Sequence, residues 1–199
     1  MNEEKNLDGN WYLSEELNFD KKLIFYRYEA AKEYIKGPFG LELGSGSGEM
    51  TKYLVNKFKH LTSVDGSKEL VDAIPNYENH TKVHSFFEDY NPKNKFNTII
   101  MEHILEHVNN PVEVLNLAKE WLEDDGVILL GVPNALSFHR LAAVKMGLLK
   151  TPYELNERDY QVGHQRVYSV DTLLNDIKKT GLKVEKISGI FFKPLSNNQ

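Results

Sequence analysis

Glu42 stands two residues ahead of a run carrying Gly44, Gly46 and Gly48. Asp65 follows Gly46 at the interval of about 20 residues at which a second-strand carboxylate grips a ribose diol. Glycines between an apolar run and a helix let a ligand lie against bare backbone, where any Cβ would clash. The N–H groups at the helix start can then donate to ligand oxygens. Further along, Glu102-His103 and Glu106-His107 offer carboxylates and imidazoles for proton transfer or metal ligation. The run Gly163 to Ser169 adds His164 and Arg166, the latter a natural partner for an anion.

The loop spacing narrows the ligand. Nicotinamide and flavin sites carry G-x-G-x-x-G, whereas these glycines fall G-x-G-x-G. A buried carboxylate just ahead of the loop repels a pyrophosphate in low dielectric and suits an ammonium. S-adenosylmethionine has an ammonium, a sulfonium and a ribose, and no phosphate. A nicotinamide-dependent reductase is correspondingly disfavoured.

These residues need a scaffold. A chain of 199 residues suits one domain, 1–199, with a sheet between two helix layers. Its 41% hydrophobic and 27% charged residues are the balance of a soluble globular protein. No run approaches the ~20 apolar residues of a membrane helix. Met1-Asn2-Glu3-Glu4-Lys5 shows no signal-peptide pattern, and the absence of cysteine excludes disulfides and thiolate metal sites, so the expected location is cytoplasmic. A formal charge of −5 argues against a broad phosphate-binding surface. The expected partner is a small molecule, with no nucleic acid and no membrane.

Residues 1–36 read as an opening helical segment, with Asp20 capping a helix that carries Leu23, Ala30 and Tyr34. Strands are predicted at 39–43, 61–64, 82–86, 96–101, 127–132 and 182–187. The apolar run 127–132 is expected to be buried on both faces. Between them, helices are predicted with Met50, Leu54 and Phe58 on one face, then behind Ser67. Further helices follow Asn110-Pro111 (Val112, Leu115, Ala118 and Leu122 inward), span 137–149, and run from Ser169 to a stop at Gly181. This alternation implies a Rossmann-like, doubly wound α/β fold with a mostly parallel sheet and ligands at the strands' carboxyl ends. Residues 134–168 exceed an ordinary connection and read as a lid or substrate-recognition insertion.

In this order, Glu42-Leu43-Gly44-Ser45-Gly46-Ser47-Gly48, Val64-Asp65-Gly66-Ser67, Phe86-Phe87-Glu88-Asp89, Phe96 to Val108, Leu122 to Gly126 and Val132-Pro133-Asn134 carry a resemblance. Over roughly residues 38–190 the chain resembles the class I S-adenosylmethionine-dependent methyltransferases. It looks closest to the branch with ubiquinone-type O-methyltransferases and small methyltransferases of sugar and polysaccharide pathways. The resemblance implies a seven-stranded sheet whose reversed last strand must come from about 191–195 or be missing. It also implies that Gly44, Ser45, Gly46 and Gly48 underlie the methionine part of the cofactor, with Glu42 near the ammonium. Asp65 would take the ribose hydroxyls, and Gly66 would leave room beside the adenine. Phe87 and Glu88 would hold the adenine edge, and Met101 and Glu102 would line the pocket near the sulfonium. Asn97 departs from the aspartate of many relatives, at a position that braces structure.

Methyl transfer from a sulfonium asks the protein mainly for approach geometry and exclusion of water. A base helps a hydroxyl nucleophile and is dispensable for a neutral amine. His103 is the first candidate for that base, with packing under the lid as its alternative role. Glu106 is expected to hold the loop. His107, His164, Arg166 and Tyr12 are candidate substrate contacts, each with a structural alternative. A metal reading of Glu102, His103, Glu106 and His107 lacks a third ligand, and no metal is expected. The expected activity is O-methylation of a sugar or nucleotide-linked sugar, with N-methylation of an amino sugar or small amine next. A cofactor-binding regulator without turnover is the alternative of another class.

Overall fold

The computed structural model describes residues 18–192. It opens with helix α1 (Asn18–Ala31), continued by a 3-10 turn over Lys32–Tyr34. The chain then winds a single parallel sheet from β1 (Phe39–Leu43), β2 (His60–Asp65), β3 (His80–His84), β4 (Phe96–Glu102) and β5 (Leu122–Gly131). Their order is β3-β2-β1-β4-β5, so β1 lies between the two halves of the winding. That is the switch point at which open α/β sheets bind ligands, at the carboxyl ends of the strands.

Between the strands come α2 (Thr51–Leu54), α3 (Lys68–Ala73) and α4 (Pro111–Trp121). After β5 follow α5 (Phe138–Lys145), α6 (Glu157–Gln161) and α7 (Val170–Thr180). The caps act where the sequence places them. The side chains of Ser67, Asn110 and Ser169 accept N–H bonds from Leu70, Glu113 and Thr172, and Gly181 closes α7 at φ +72°. Residue pleating divides the core. Leu41, Leu43, Ile99 and Met101 pack on one face against Val114, Leu115, Ala118 and Trp121 of α4. Leu61 and Ile100 face the other way, onto Met50, Leu54, Val55 and Phe58, with Ile24 and Tyr28 of α1 over them. A fully buried leucine or isoleucine contributes about 2 kcal/mol. Asn97 braces the sheet as expected, accepting the Phe39 N–H at 2.9 Å.

Several expected elements differ. The helix after the glycine loop is one turn long, although Met50, Leu54 and Phe58 are all buried. The inward face of α4 is Val114, Leu115, Ala118 and Trp121, because Leu122 already belongs to β5. β3 ends at His84, two residues early, which leaves Phe86 in the following loop. Among the described residues no sixth or seventh strand forms: the sheet has five, and 182–192 pairs with none of them. Side chains rather than a backbone ladder tether this segment, through Lys186 to the Tyr34 hydroxyl and Phe192 to the Phe138 ring at 5.7 Å. β5 is therefore an edge strand, and its apolar residues are half-buried instead of covered on both faces. Among the described residues, no helix is long and apolar enough to cross a membrane.

Candidate functional site

The chain leaves β1 through a loop in which Gly44, Gly46 and Gly48 have φ of +72°, +51° and +88°, a region L side chains rarely adopt. Their surroundings differ. A Cβ on Gly44 would run into the terminal methyl of Ile104, which adds a steric demand to that of the positive φ. A Cβ on Gly46 would meet nothing within 4 Å. Gly46 thus presents bare backbone to the open cleft, where a ligand can lie against it.

Asp65, at the end of β2, ties this loop to the next one. Its Oδ2 accepts the Gly46 N–H and its Oδ1 the Ser67 N–H, both at 2.9 Å. The loop N–H expected to meet a ligand is therefore already given to Asp65 at Gly46. Each carboxylate oxygen keeps a lone pair for a hydroxyl pair. Burial pushes the Asp65 carboxyl up, and the two N–H donors work against that rise.

Glu42 lies beneath the loop, 2% exposed. Two hydroxyls converge on its Oε2, Thr51 at 2.6 Å and Ser63 at 2.7 Å, and neither touches Oε1. Burial pushes its pKa up to about 7 against those two donors. Ser45 is buried beside it with a hydroxyl that has no hydrogen-bond partner. These groups fit S-adenosylmethionine. An acid with one uncommitted oxygen suits the ammonium, Asp65 suits the ribose diol, and the bare Gly46 suits close passage of the chain between them.

On the adenine side the loop after β3 sets two aromatic residues apart. A Cβ on Gly66 would sit 3.2 Å from the Phe86 ring, and Phe86 is 58% exposed. Phe87 instead packs its side chain against the core cluster. Phe86 is thus the aromatic face beside Gly66, and Phe87 keeps only its backbone for a ligand. Glu88 is exposed on the same turn.

At the end of β4 the strand pleat separates neighbours. Met101 is 0% exposed in the core, so the expected pocket role does not hold for it. Glu102 faces the cleft over Gly131, where any Cβ would collide with its carboxylate. Its Oε2 is buried with no hydrogen-bond partner, and burial pushes its pKa up.

His103 is the one non-glycine residue with positive φ, +57°, among the described residues. Such a conformation costs of order 1–3 kcal/mol and persists where the surroundings over-determine it. Here the His103 N–H donates to Gly131 O at 2.9 Å, and Nδ1 lies 3.0 Å from Oε1 of Glu106. Burial alone would raise the fully buried Glu106, but the imidazole beside it holds its pKa below the usual range. Neither Glu106 oxygen makes a geometrically sound hydrogen bond, so the result is a partly exposed imidazole in ion-pair contact with a buried carboxylate.

Residues 164–166 of the segment after β5 pack against this wall. Gln165 donates its backbone N–H to Glu106 O at 2.7 Å and its side chain to His107 O at 2.6 Å. His107 packs edge-on against His164, ring centroids 4.8 Å apart, and burial lowers its pKa to about 4. Ligand-type atoms of Glu106, His107 and His164 lie within 4.8 Å of one another, so the lid supplies the third potential metal ligand that sequence spacing lacked. Glu106 lies in ion-pair contact with His103, and Asp159 bonds Nδ1 of His164 at 3.1 Å.

Arg166 is committed elsewhere. Its guanidinium donates to the carbonyls of Leu105, Val108 and Asn109, locking the turn after β4. The expected anion contact is replaced by this structural one, because three carbonyls aimed at one point satisfy the planar donor fork. Tyr12 lies outside the described residues.

Sequence reasoning missed Arg140 and Asp159. Arg140, 5% exposed, pairs with Asp159 at 3.0 Å and donates to the carbonyls of Pro152 and Glu154, stapling α5 to α6. Asn156 and Asp159 form a capping box whose three-residue spacing was readable. Arg140 gave no such signal.

Residues 23–187 match a family profile described as a methyltransferase domain. A protein of Methanocaldococcus jannaschii described as uncharacterized is 27% identical over 180 residues, covering 89% of this chain and 81% of its own. The crystal structure of a SAM dependent methyltransferase from Archaeoglobus fulgidus is similar with a TM-score of 0.66 at 18% identity, over 87% of this chain and 75% of that one. The plantazolicin methyltransferase BpumL, in complex with SAH, gives 0.60 at 15% identity over 88% and 70%. At these identities the two structures speak for the fold.

Proposed function

The chain belongs to the methyltransferase-domain family, with the fold of the class I S-adenosylmethionine-dependent enzymes, and from that premise we propose that it methylates an oxygen of a small molecule, a sugar or nucleotide-linked sugar. The observation that carries the choice of oxygen is the His103–Glu106 pair at the end of β4. A hydroxyl acceptor gains from a base in the transition state, by about 10²–10⁴ in rate. The formal charge of −5 supports a small acceptor over nucleic acid.

When bound, S-adenosylmethionine supplies a methyl group already activated on a sulfonium. The chain's residues supply the rest. Glu42 holds the ammonium through its free oxygen, Asp65 takes the ribose hydroxyls, and Gly66 with Phe86 flanks the adenine, next to the Phe87 backbone and Glu88. His103 accepts the acceptor's proton at Nε2, and the Glu106 carboxylate 3.0 Å from its Nδ1 stabilises the cation that forms. The lid, through Gln165, His107 and His164, shields this end of the cleft from water.

N-methylation of an amino sugar or small amine is a second reading, supported by Glu102. Its buried, unpartnered Oε2 beside His103 suits an amine as well as a hydroxyl.

Calorimetric titration with S-adenosylhomocysteine, beside NAD, tests the cofactor, and labelled methyl transfer to pooled sugars tests the acceptor. We expect the first ligand to bind and NAD not to. His103→Ala should then lose about a hundredfold in turnover at unchanged S-adenosylhomocysteine affinity. Binding of NAD alone would overturn the cofactor assignment. Wild-type turnover by His103→Ala would remove the base.

A further inference from the structure

Behind the cofactor loop, away from the acceptor wall, a chain of polar contacts crosses three strands. Glu42 on β1 is in register with Ser63 on β2, so both side chains share a face of the sheet. Ser63 is 0% exposed, and its hydroxyl lies 2.7 Å from Glu42 Oε2 and 2.8 Å from Nε2 of His80, on β3. His80 is half-buried, and its other nitrogen, Nδ1, is buried with no hydrogen-bond partner. No step of the proposed reaction uses Ser63 or His80.

The direction of this chain can be deduced. With Glu42 ionised, as it must be to receive an ammonium, its oxygens only accept, so the Ser63 proton points to Glu42. Ser63 Oγ must then accept from His80, which fixes the proton of that imidazole on Nε2. The reverse arrangement, with Ser63 donating to Nε2, requires a proton on Nδ1, where there is no acceptor. Leaving a buried donor unmade is costly. The site of His80 therefore disfavours the arrangement that would release Glu42 from its hydroxyl donor.

We infer that Ser63 and His80 are positioning residues which keep Glu42 a carboxylate, with its second oxygen turned to the amino group of the cofactor. This rests on the reading that Glu42 receives the cofactor's ammonium. The titratable neighbours of the chain are Asp65, which opposes the charge on Glu42, and Lys82 and His60, which oppose a charge on His80. Burial first, then these two neighbours, lower the His80 pKa to about 4, so it is a neutral donor through the neutral range. Thr51, on Glu42's other side, supplies the second hydroxyl and limits the loss when one is removed.

The test uses two probes on the full-length protein. S-adenosylhomocysteine carries the amino group, and 5′-methylthioadenosine shares the nucleoside but lacks the amino acid. Affinities are measured from pH 6 to 9 for wild type, Ser63→Ala, His80→Phe and His80→Gln. Ser63→Ala should weaken S-adenosylhomocysteine about tenfold at pH 7, the scale of one hydrogen bond to a charged group, and move the midpoint of its pH dependence upward. His80→Phe should shift affinity the same way by several-fold, and His80→Gln, which keeps an N–H donor, should restore it. Affinity for 5′-methylthioadenosine should be unchanged in all three. Equal losses for both probes would mean a merely structural role and overturn the inference, as would an unmoved pH midpoint in Ser63→Ala. Failure of the wild type to bind S-adenosylhomocysteine would overturn the cofactor reading itself, and the inference with it.

Discussion

Around the ends of β1 and β2 the cleft is shaped by backbone. Gly46 and Ser67 hold Asp65 through their N–H groups, and three glycines at positive φ set the loop. Across the cleft, the wall at the end of β4 is held by side chains that arrive from far along the chain. Arg166 locks the turn at 105–109, Gln165 pins His107, and Arg140 with Asp159 ties the lid helices together. The first wall is local and forms with the sheet. The second depends on the lid being folded over it. Cofactor binding and acceptor recognition should therefore be separable by mutation.

Arg140→Ala should show that separation most strongly. It leaves Asp159 buried without its guanidinium, a loss on the order of 3 kcal/mol for a broken buried pair. Hydrogen exchange should rise across 137–164 and acceptor KM should climb, while the affinity for S-adenosylhomocysteine holds. An equal loss of cofactor affinity would break the comparison. Asp65→Ala probes the opposite wall. It should weaken S-adenosylhomocysteine by about 2 kcal/mol in a calorimetric titration, with acceptor KM little moved. Unaltered affinity would refute the ribose assignment.

Acidity gives the smallest and finest test. Burial raises Glu42 to about 7, so below that pH the free protein holds a neutral acid that must lose its proton to receive an ammonium. Affinity for S-adenosylhomocysteine should fall as pH drops from 8 to 6, approaching about 1.4 kcal/mol per unit on the acid side. Titrations in buffers of different ionisation enthalpy should show proton release near pH 6. The same raised value means that the ligand-free protein gains stability from Glu42 below its ordinary value of 4.5 and loses it as pH rises through about 7. Methylthioadenosine binding should lack this pH dependence, and its presence would place the titration elsewhere.

The wall at the ends of β1 and β2 was legible because its contacts are written in short spacings. Glu42, the glycines, Asp65 and the caps at Ser67, Asn110 and Ser169 each act on neighbours a few residues or one strand away. Met101 and Glu102 were separable in principle, since Met101 shares the pleat of Ile99, a core residue. Phe86 was misplaced because β3 stops at His84, and a two-residue shift in strand end moved an aromatic into the loop. Arg166 and Arg140 were illegible for a different reason. Their partners are carbonyls and a carboxylate that only the folded lid brings together, and no periodicity records a carbonyl's direction. The unpaired 182–192 segment fails likewise: its apolar residues read as a strand, while its side chains tether it elsewhere.

The left-handed backbone at His103 has an evolutionary consequence. Glycine or asparagine there would relieve the strain but leave the buried Glu106 carboxylate without its imidazole. A library sorted for thermal resistance alone should therefore keep histidine at 103, or change 103 and 106 together, because the backbone cost and the buried charge are bound to one side chain.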